Sequence, residues 1–260
     1  MAASMDSMNS EEKKRSVGLC CFSLLGLVST AAFICAVYSY AYCDFATRYI
    51  ELTEGTDPNT VCETSGFSTD LQPVCEALIQ THGVGFEGFW VTVPVDQQVC
   101  FPYTQPTPIG IVTPTFDTKF NSARALSITG IVLGGAAWFT LMLASCCPLD
   151  QARMKGLSCY FFLATLFQGL SLLLFRSNVC DVGFFSAYFS SSTVDQVDFI
   201  ESVSCGLSTG SRLAISATVL WFVCNSMVPM VVVPTPLTML GRGQAEPAVA
   251  AAAGTAEEEA

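Results

Sequence analysis

Residues 17–42 read VGLCCFSLLGLVSTAAFICAVYSYAY, 26 positions with no Asp, Glu, Lys, Arg or His. A helix rises about 1.5 Å per residue, so crossing a hydrocarbon core of about 30 Å takes about 20 residues. Buried helices of soluble proteins seldom sustain such a run beyond about 14 positions. The stretch therefore predicts a membrane span. Three more runs share its character, at 126–147, 156–175 and 213–233. Pro229, late in the fourth, is expected to kink or shorten that helix. Lys13-Lys14-Arg15 precedes the first run, which is longer than the apolar core of a signal peptide, so a retained signal-anchor is expected.

The rest of the composition agrees. Of 260 residues, 51% are hydrophobic and only 13% charged, where an ordinary soluble domain carries about 25%. Eleven basic residues against 22 acidic ones leave no general phosphate-neutralising surface, so no nucleic-acid partner is expected. The expected partners are the lipid bilayer and other membrane proteins, including further copies of the chain.

The four runs divide the chain into a start (1–16), a large loop (43–125), a short turn (148–155), a second loop (176–212) and a tail (234–260). An even number of spans puts both ends on one side. Lys13, Lys14 and Arg15 mark that side as cytoplasmic. Cysteine placement agrees. Cys43, Cys62, Cys75, Cys100, Cys180 and Cys205 all fall in the two loops, an even number suited to disulfides in an oxidising space. The expected location is the plasma membrane, multi-pass, with N and C termini inside. Most of the net charge of −11 then faces outward, because the large loop holds ten acids and three bases. The tail is expected to be disordered by composition.

Eighty-three residues are too many for a structureless ordered loop. Residues 89–95 (FWVTVPV) and 99–103 (VCFPY) read as a β-hairpin interrupted at 96–98, with prolines at edge positions. Residues 73–81 read as a short helix, 104–115 as an extended connector with three prolines, and 55–59 as a turn. His82 reads as an exposed turn residue. Six cysteines allow 15 pairings. Cys180 with Cys205 is preferred in the second loop, and Cys75 with Cys100 and Cys43 with Cys62 in the first. The expected fold is an all-α membrane protein: a four-helix transmembrane bundle carrying a small, disulfide-braced, β-containing extracellular domain.

Glu87-Gly88-Phe89-Trp90, followed by Gln98-Val99-Cys100 and by Ala123-Arg124-Ala125-Leu126 at the second span, resembles the claudin and peripheral-myelin-protein group of four-span proteins. In that group a Gly-Leu-Trp motif lies on a strand of the first outer loop, two cysteines follow and bond between strands, and an Arg precedes the second helix. The resemblance implies that Gly88, Phe89 and Trp90 match the motif, Cys100 the second cysteine and Arg124 the arginine. Val93 stands where the first cysteine would lie, so Cys100 needs its partner from Cys43, Cys62 or Cys75. Independently of the family, Trp90 is expected to pack the loop or to sit at the headgroup level.

Within the spans, Gly130-x-x-x-Gly134 is expected to pack helices closely, inside one bundle or between molecules. Gln168 and Asn225 are the most polar mid-span groups and are expected to hydrogen-bond between helices. Cys20, Cys21, Cys146, Cys147 and Cys159 gather at the expected cytoplasmic ends and are acylation candidates, resembling the palmitoylation sites of claudins and tetraspanins.

No nucleophile elbow, P-loop or H-E-x-x-H occurs, and His82 is the lone histidine. No catalytic residue, cofactor or metal site is assigned. The expected role is structural, adhesive or membrane-organising, acting through the outer loops. The alternatives are a channel-forming subunit and a lateral organiser resembling tetraspanins.

Overall fold

The computed structural model describes residues 2–57, 60, 82–93, 97–103, 116–144, 151–181 and 200–231. Four helices dominate: α1 (Ala2–Ala41), α2 (Thr118–Ala144), α3 (Gln151–Leu170) and α4 (Thr209–Met227). Each supplies a segment long and apolar enough to cross a membrane: Cys21–Ala41, Thr118–Ala144, Arg153–Arg176 and Thr209–Met230.

The helices overrun the uncharged segments that reveal them. α2 begins at Thr118, ahead of the run at 126, because the Asp117 carboxylate accepts the Phe120 N–H at 2.8 Å and caps its first turn. α4 begins at Thr209, where the Ser208 N–H donates to Ser211 Oγ at 2.9 Å. α3 tightens into a 3-10 helix at Ser171–Arg176, and a further 3-10 turn spans Asn178–Cys180. Two hydroxyls sit at its ends: Ser171 Oγ donates to the Gln168 carbonyl and Ser177 Oγ to that of Leu174. α4 ends in a 3-10 turn, Val228–Met230, that contains Pro229. The proline lacks an N–H to continue the α ladder, so it shortens the helix.

Consecutive helices are neighbours, and α1 closes the ring against α4. Leu25, Ala32, Ala36, Leu141, Phe161, Ala217 and Trp221 fill the interior. Leu27, Val132, Phe139, Phe162 and Phe222 point outward from the same helices and are exposed. Helices apolar on every side need an apolar surrounding, which a bilayer supplies.

Above one end of this bundle lies a five-stranded antiparallel sheet. Its strands are β1 (Ala46–Leu52), β2 (His82–Val84), β3 (Gly88–Val93), β4 (Gln97–Pro102) and β5 (Ile200–Leu207), in the order β4-β3-β2-β1-β5. β3 and β4 form a hairpin from Gly88↔Pro102 to Val93↔Gln97. Gln97 and Gln98 therefore belong to the second strand instead of interrupting the hairpin, and Pro102 lies on the edge strand. His82 is not a turn residue; it opens β2 in register with Arg48. β1 pairs with β5 from Ala46↔Leu207 to Leu52↔Ile200, with a bulge at Glu51/Leu52. The large and the small loop thus share one sheet. After β1 the chain turns at Gly55, whose φ of 87° suits a residue without Cβ. The helix expected at 73–81, the connector at 104–115 and the tail at 234–260 lie outside the described residues.

Candidate functional site at the junction of sheet and bundle

A sheet of five short strands has little core of its own, so it must borrow one. The helix tops provide it. Phe45, Phe86, Phe89, Phe120, Leu174, Val179 and Ile200 form one buried cluster drawn from both loops and three helical segments. Phe86 is its hub, with ring centroids 4.6 Å from Phe45, 5.7 Å from Tyr40 and 6.3 Å from Phe120. Tyr103, Phe116 and Phe120 extend the cluster along the top of α2. Such ring pairs contribute about 0.5–1.5 kcal/mol each beyond simple burial.

Glycines let backbones approach where the sheet meets α1 and α4. A Cβ on Gly85 would lie 2.5 Å from the Tyr42 carbonyl oxygen, and one on Gly210 would lie 2.8 Å from Phe45 Cα. The Phe45 N–H donates to the Val84 carbonyl, while the Asp44 and Phe45 carbonyls accept from the Gly210 and Ser211 N–H groups. The first turn of α4 is therefore satisfied by the link between α1 and β1. Ser208 Oγ donates to the Asp44 carboxylate at the same place.

Polar contacts fasten the rest. Arg124 Nη2 donates to Glu87 Oε1 at 2.8 Å and its Nε to the Tyr40 hydroxyl at 3.4 Å. The Tyr40 hydroxyl in turn donates to Glu87 Oε1. One carboxylate before β3 is thereby tied to α1 and α2. On the far side Asp117 and Asn178 bond reciprocally, each backbone N–H to the other's side chain. Arg48, fully buried on β1, donates from Nη2 to the Asp181 carbonyl at 3.0 Å and so grips the second loop.

Among the described residues two disulfides complete the brace. Cys180 and Cys205 are bonded, with Cα atoms 5.5 Å apart, joining the end of α3 to β5. In the first loop Cys43 is bonded to Cys100, with Cα atoms 6.0 Å apart. This overturns the expected pairs Cys75–Cys100 and Cys43–Cys62. The hairpin folds β4 back over the end of α1, where Cys43 sits, and so brings Cys100 to it. Cys62 and Cys75 lie outside the described residues.

The exposed face of the sheet presents Tyr49 and Glu51 from β1, with the Glu51 carboxylate accepting from Ser202 Oγ of β5 at 2.6 Å. Tyr49 lies over Gly206, while Leu207, paired with Ala46, points to the other face at the foot of β5 and is exposed there. The face presents a phenol, a carboxylate and a hydroxyl on two paired strands.

No protein-family model matches the chain, and no characterised protein matches it. The role of the junction must come from its own geometry. Gly88 and Phe89 are buried on β3, and Trp90 stands opposite Cys100 in the hairpin. The Trp90 side chain falls outside the described set. Arg124 lies on α2 and pairs with Glu87, which directly precedes Gly88. Gly130 and Gly134 face inward. A Cβ on Gly130 would lie 3.1 Å from the Gln168 N, and one on Gly134 would lie 2.5 Å from Trp221 Cζ2. Both glycines are therefore spent within one bundle. Gln168 Nε2 donates to Ser39 Oγ at 3.3 Å, and Asn225 Oδ1 accepts from Ser158 Oγ at 2.6 Å, so each polar mid-span group bridges two helices. Cys20 lies on α1; Cys21 is half-buried and Cys159 exposed. Cys146 and Cys147 lie outside the described residues. Among the described residues no group of three or more His, Cys, Asp or Glu is placed to hold a metal.

Sequence reading missed Tyr40, Arg48 and the Asp117–Asn178 pair. Tyr40 hides inside an uncharged run. A signal for Asp117 existed: an Asp three positions before Phe120, where a capped helix starts.

Proposed function

We propose that this chain is a four-span membrane protein with a structural, adhesive or membrane-organising role, and that the sheet is its working surface. The observation that carries this is the β1–β5 ladder, which fuses two separate loops into one platform fixed to all four helix tops. An idle loop needs no such brace. A surface that must keep its shape against a partner does.

The claudin-like reading gains support from the same place. Gly88-Phe89-Trp90 lies on a strand, Cys100 lies on the next strand opposite Trp90, and Arg124 binds the residue just before the motif. On this reading Cys43, bonded to Cys100, would take the part of the missing first cysteine. For orientation, the five strands and two disulfides among the described residues lie at one end of the bundle, which supports an oxidising outer side with cytoplasmic termini; plasma-membrane residence is part of the same proposal.

The test is reconstitution. The purified chain, placed in two differently labelled vesicle populations, is expected to cluster them, and protease removal of the sheet is expected to abolish clustering. Ion or dye flux without clustering would favour a channel subunit instead. Neither activity, with one dominant membrane protein co-purifying, would favour a lateral organiser.

A further inference from the structure

Five bases lie on the sheet side of the chain: Arg48, Lys119, Arg124, Arg176 and Arg212. Arg48 is buried against Asp181, and Arg124 is paired with Glu87. Arg176 and Arg212 are exposed, and neither guanidinium has a partner among the described residues.

Both arginines stand at the ends of lipid-facing stripes. In the 3-10 segment after α3, side chains three positions apart eclipse one another. Leu170 and Leu173 are 38% and 40% exposed, and Arg176 continues their line. On α4, Arg212 heads a stripe of exposed side chains at Ile215, Val219 and Phe222, spaced as one helical face. Each guanidinium therefore ends a column of apolar groups, with a long stem able to carry its charge to the headgroup level.

Their heights differ by about 4 Å at the usual helical rises. Gly169 of α3 faces Thr218 of α4, with a Gly169 Cβ 3.6 Å from Thr218 Cγ2. From that contact, Arg176 lies seven residues up α3 and its 3-10 extension, about 13 Å at the usual rises. Arg212 lies six residues up the antiparallel α4, about 9 Å. α3 and α4 are neighbours, and packed helices lie about 8–10 Å apart. Two long, unpaired guanidinium groups thus stand on neighbouring helices where the apolar stripes stop, and their stems span the difference of about 4 Å in height. A phosphate fits that arrangement, because the guanidinium fork matches its oxygens in bidentate fashion.

We propose that Arg176 and Arg212 together hold the phosphate of an anionic phospholipid in the sheet-side leaflet, with its acyl chains along the Leu170–Leu173 and Ile215–Val219 stripes. The proposal rests on the helices crossing a membrane. It does not depend on the sheet being adhesive. The bound lipid would seal the α3–α4 groove directly beneath the Cys180–Cys205 brace.

The test compares three probes on the purified full chain in detergent: dioleoylphosphatidylglycerol, dioleoylglycerol and inorganic phosphate. The phospholipid is expected to raise the melting temperature and to be retained in native mass spectrometry, and the other two are not. The double variant Arg176→Gln/Arg212→Gln is expected to bind it roughly 30-fold more weakly. Lys119→Gln, an exposed base on α2 away from the groove, is expected to bind as the wild type does. Equal stabilisation by dioleoylglycerol or by inorganic phosphate would overturn the proposal. So would undiminished binding by the double variant, or equal loss in Lys119→Gln. If the double variant does not fold, the three-probe comparison on the wild type and on the single variant Arg176→Gln, expected to bind the phospholipid roughly five-fold more weakly, still decides. A chain that fails to partition into vesicles at all would instead overturn the membrane reading.

Discussion

Gly134 lets Trp221 pack directly against α2, and its replacement separates packing from helix propensity. A Cβ there would lie 2.5 Å from Trp221, a fully buried ring that cannot swing aside. Gly134→Ala is expected to cost about 1–3 kcal/mol, as overpacking of a filled interior does. Gly156 faces open space on α3, so Gly156→Ala is expected to be neutral or to gain about 0.5–1 kcal/mol from lost backbone entropy. Thermal melting of both variants in one detergent checks this. Equal effects would mean that Gly134 is not a contact point. The Arg124–Glu87 pair is a different case. Its side chains are 38% and 41% exposed, so water screens much of the attraction. Arg124→Gln is expected to cost only about 0.2–1 kcal/mol in global stability. Its effect should appear locally, as faster amide exchange at residues 85–89 while the helices keep their protection.

At the scale of elements, the helices were legible and half of the sheet was not. An uncharged run of 20 or more residues has one physical explanation, and 17–42 shows it openly. Helix ends were harder, because α2 continues past its apolar run into a polar setting held by Asp117. The β3–β4 hairpin was visible because its partners lie within fifteen residues of one another and are rich in β-formers. β1, β2 and β5 were not, since Ala46 finds Leu207 only after two helices and a turn have brought them together. The same non-local pairing hid the Cys43–Cys100 bond. Within the junction, Arg124 and Gly88–Trp90 could be flagged by resemblance, whereas nothing local in Tyr40 or Arg48 tells of burial. Asp117 joins these elements, since it caps α2 and meets Asn178. Asp117→Ala is expected to cost about 1–2 kcal/mol and to raise exchange both at 118–121 and at 178–180. Asn178→Ala should raise it only at 178–180 and 117. Identical exchange patterns would show that the cap and the bridge are not separable.

For the whole molecule, the two disulfides and the β1–β5 ladder act on the sheet, whereas the helix ring stands on its own packing. Cys180–Cys205 closes 25 residues and Cys43–Cys100 closes 57, which in the chain-entropy picture restrict the unfolded ensemble by about 3–4 kcal/mol each. The bundle core contains none of these cysteines. Reduction should therefore loosen one layer and spare the other. On addition of a membrane-permeant reductant, amides of β1 and β5 are expected to exchange faster together, because each strand is the other's partner. Amides in the middle of α2 and α3 should keep their protection. The variant Cys180→Ser/Cys205→Ser should reproduce the change at β5 and β1 while leaving the β3–β4 hairpin slower to exchange, since Cys43–Cys100 still ties β4 to the top of α1. Peptide mapping under non-reducing conditions supplies the control: a fragment linking residues 43 and 100 is expected, and a Cys75–Cys100 fragment would refute the pairing. If reduction instead melted helices and sheet in one transition, the platform and the bundle would be a single cooperative unit, and any contact made on the sheet would then report directly on the membrane helices beneath it.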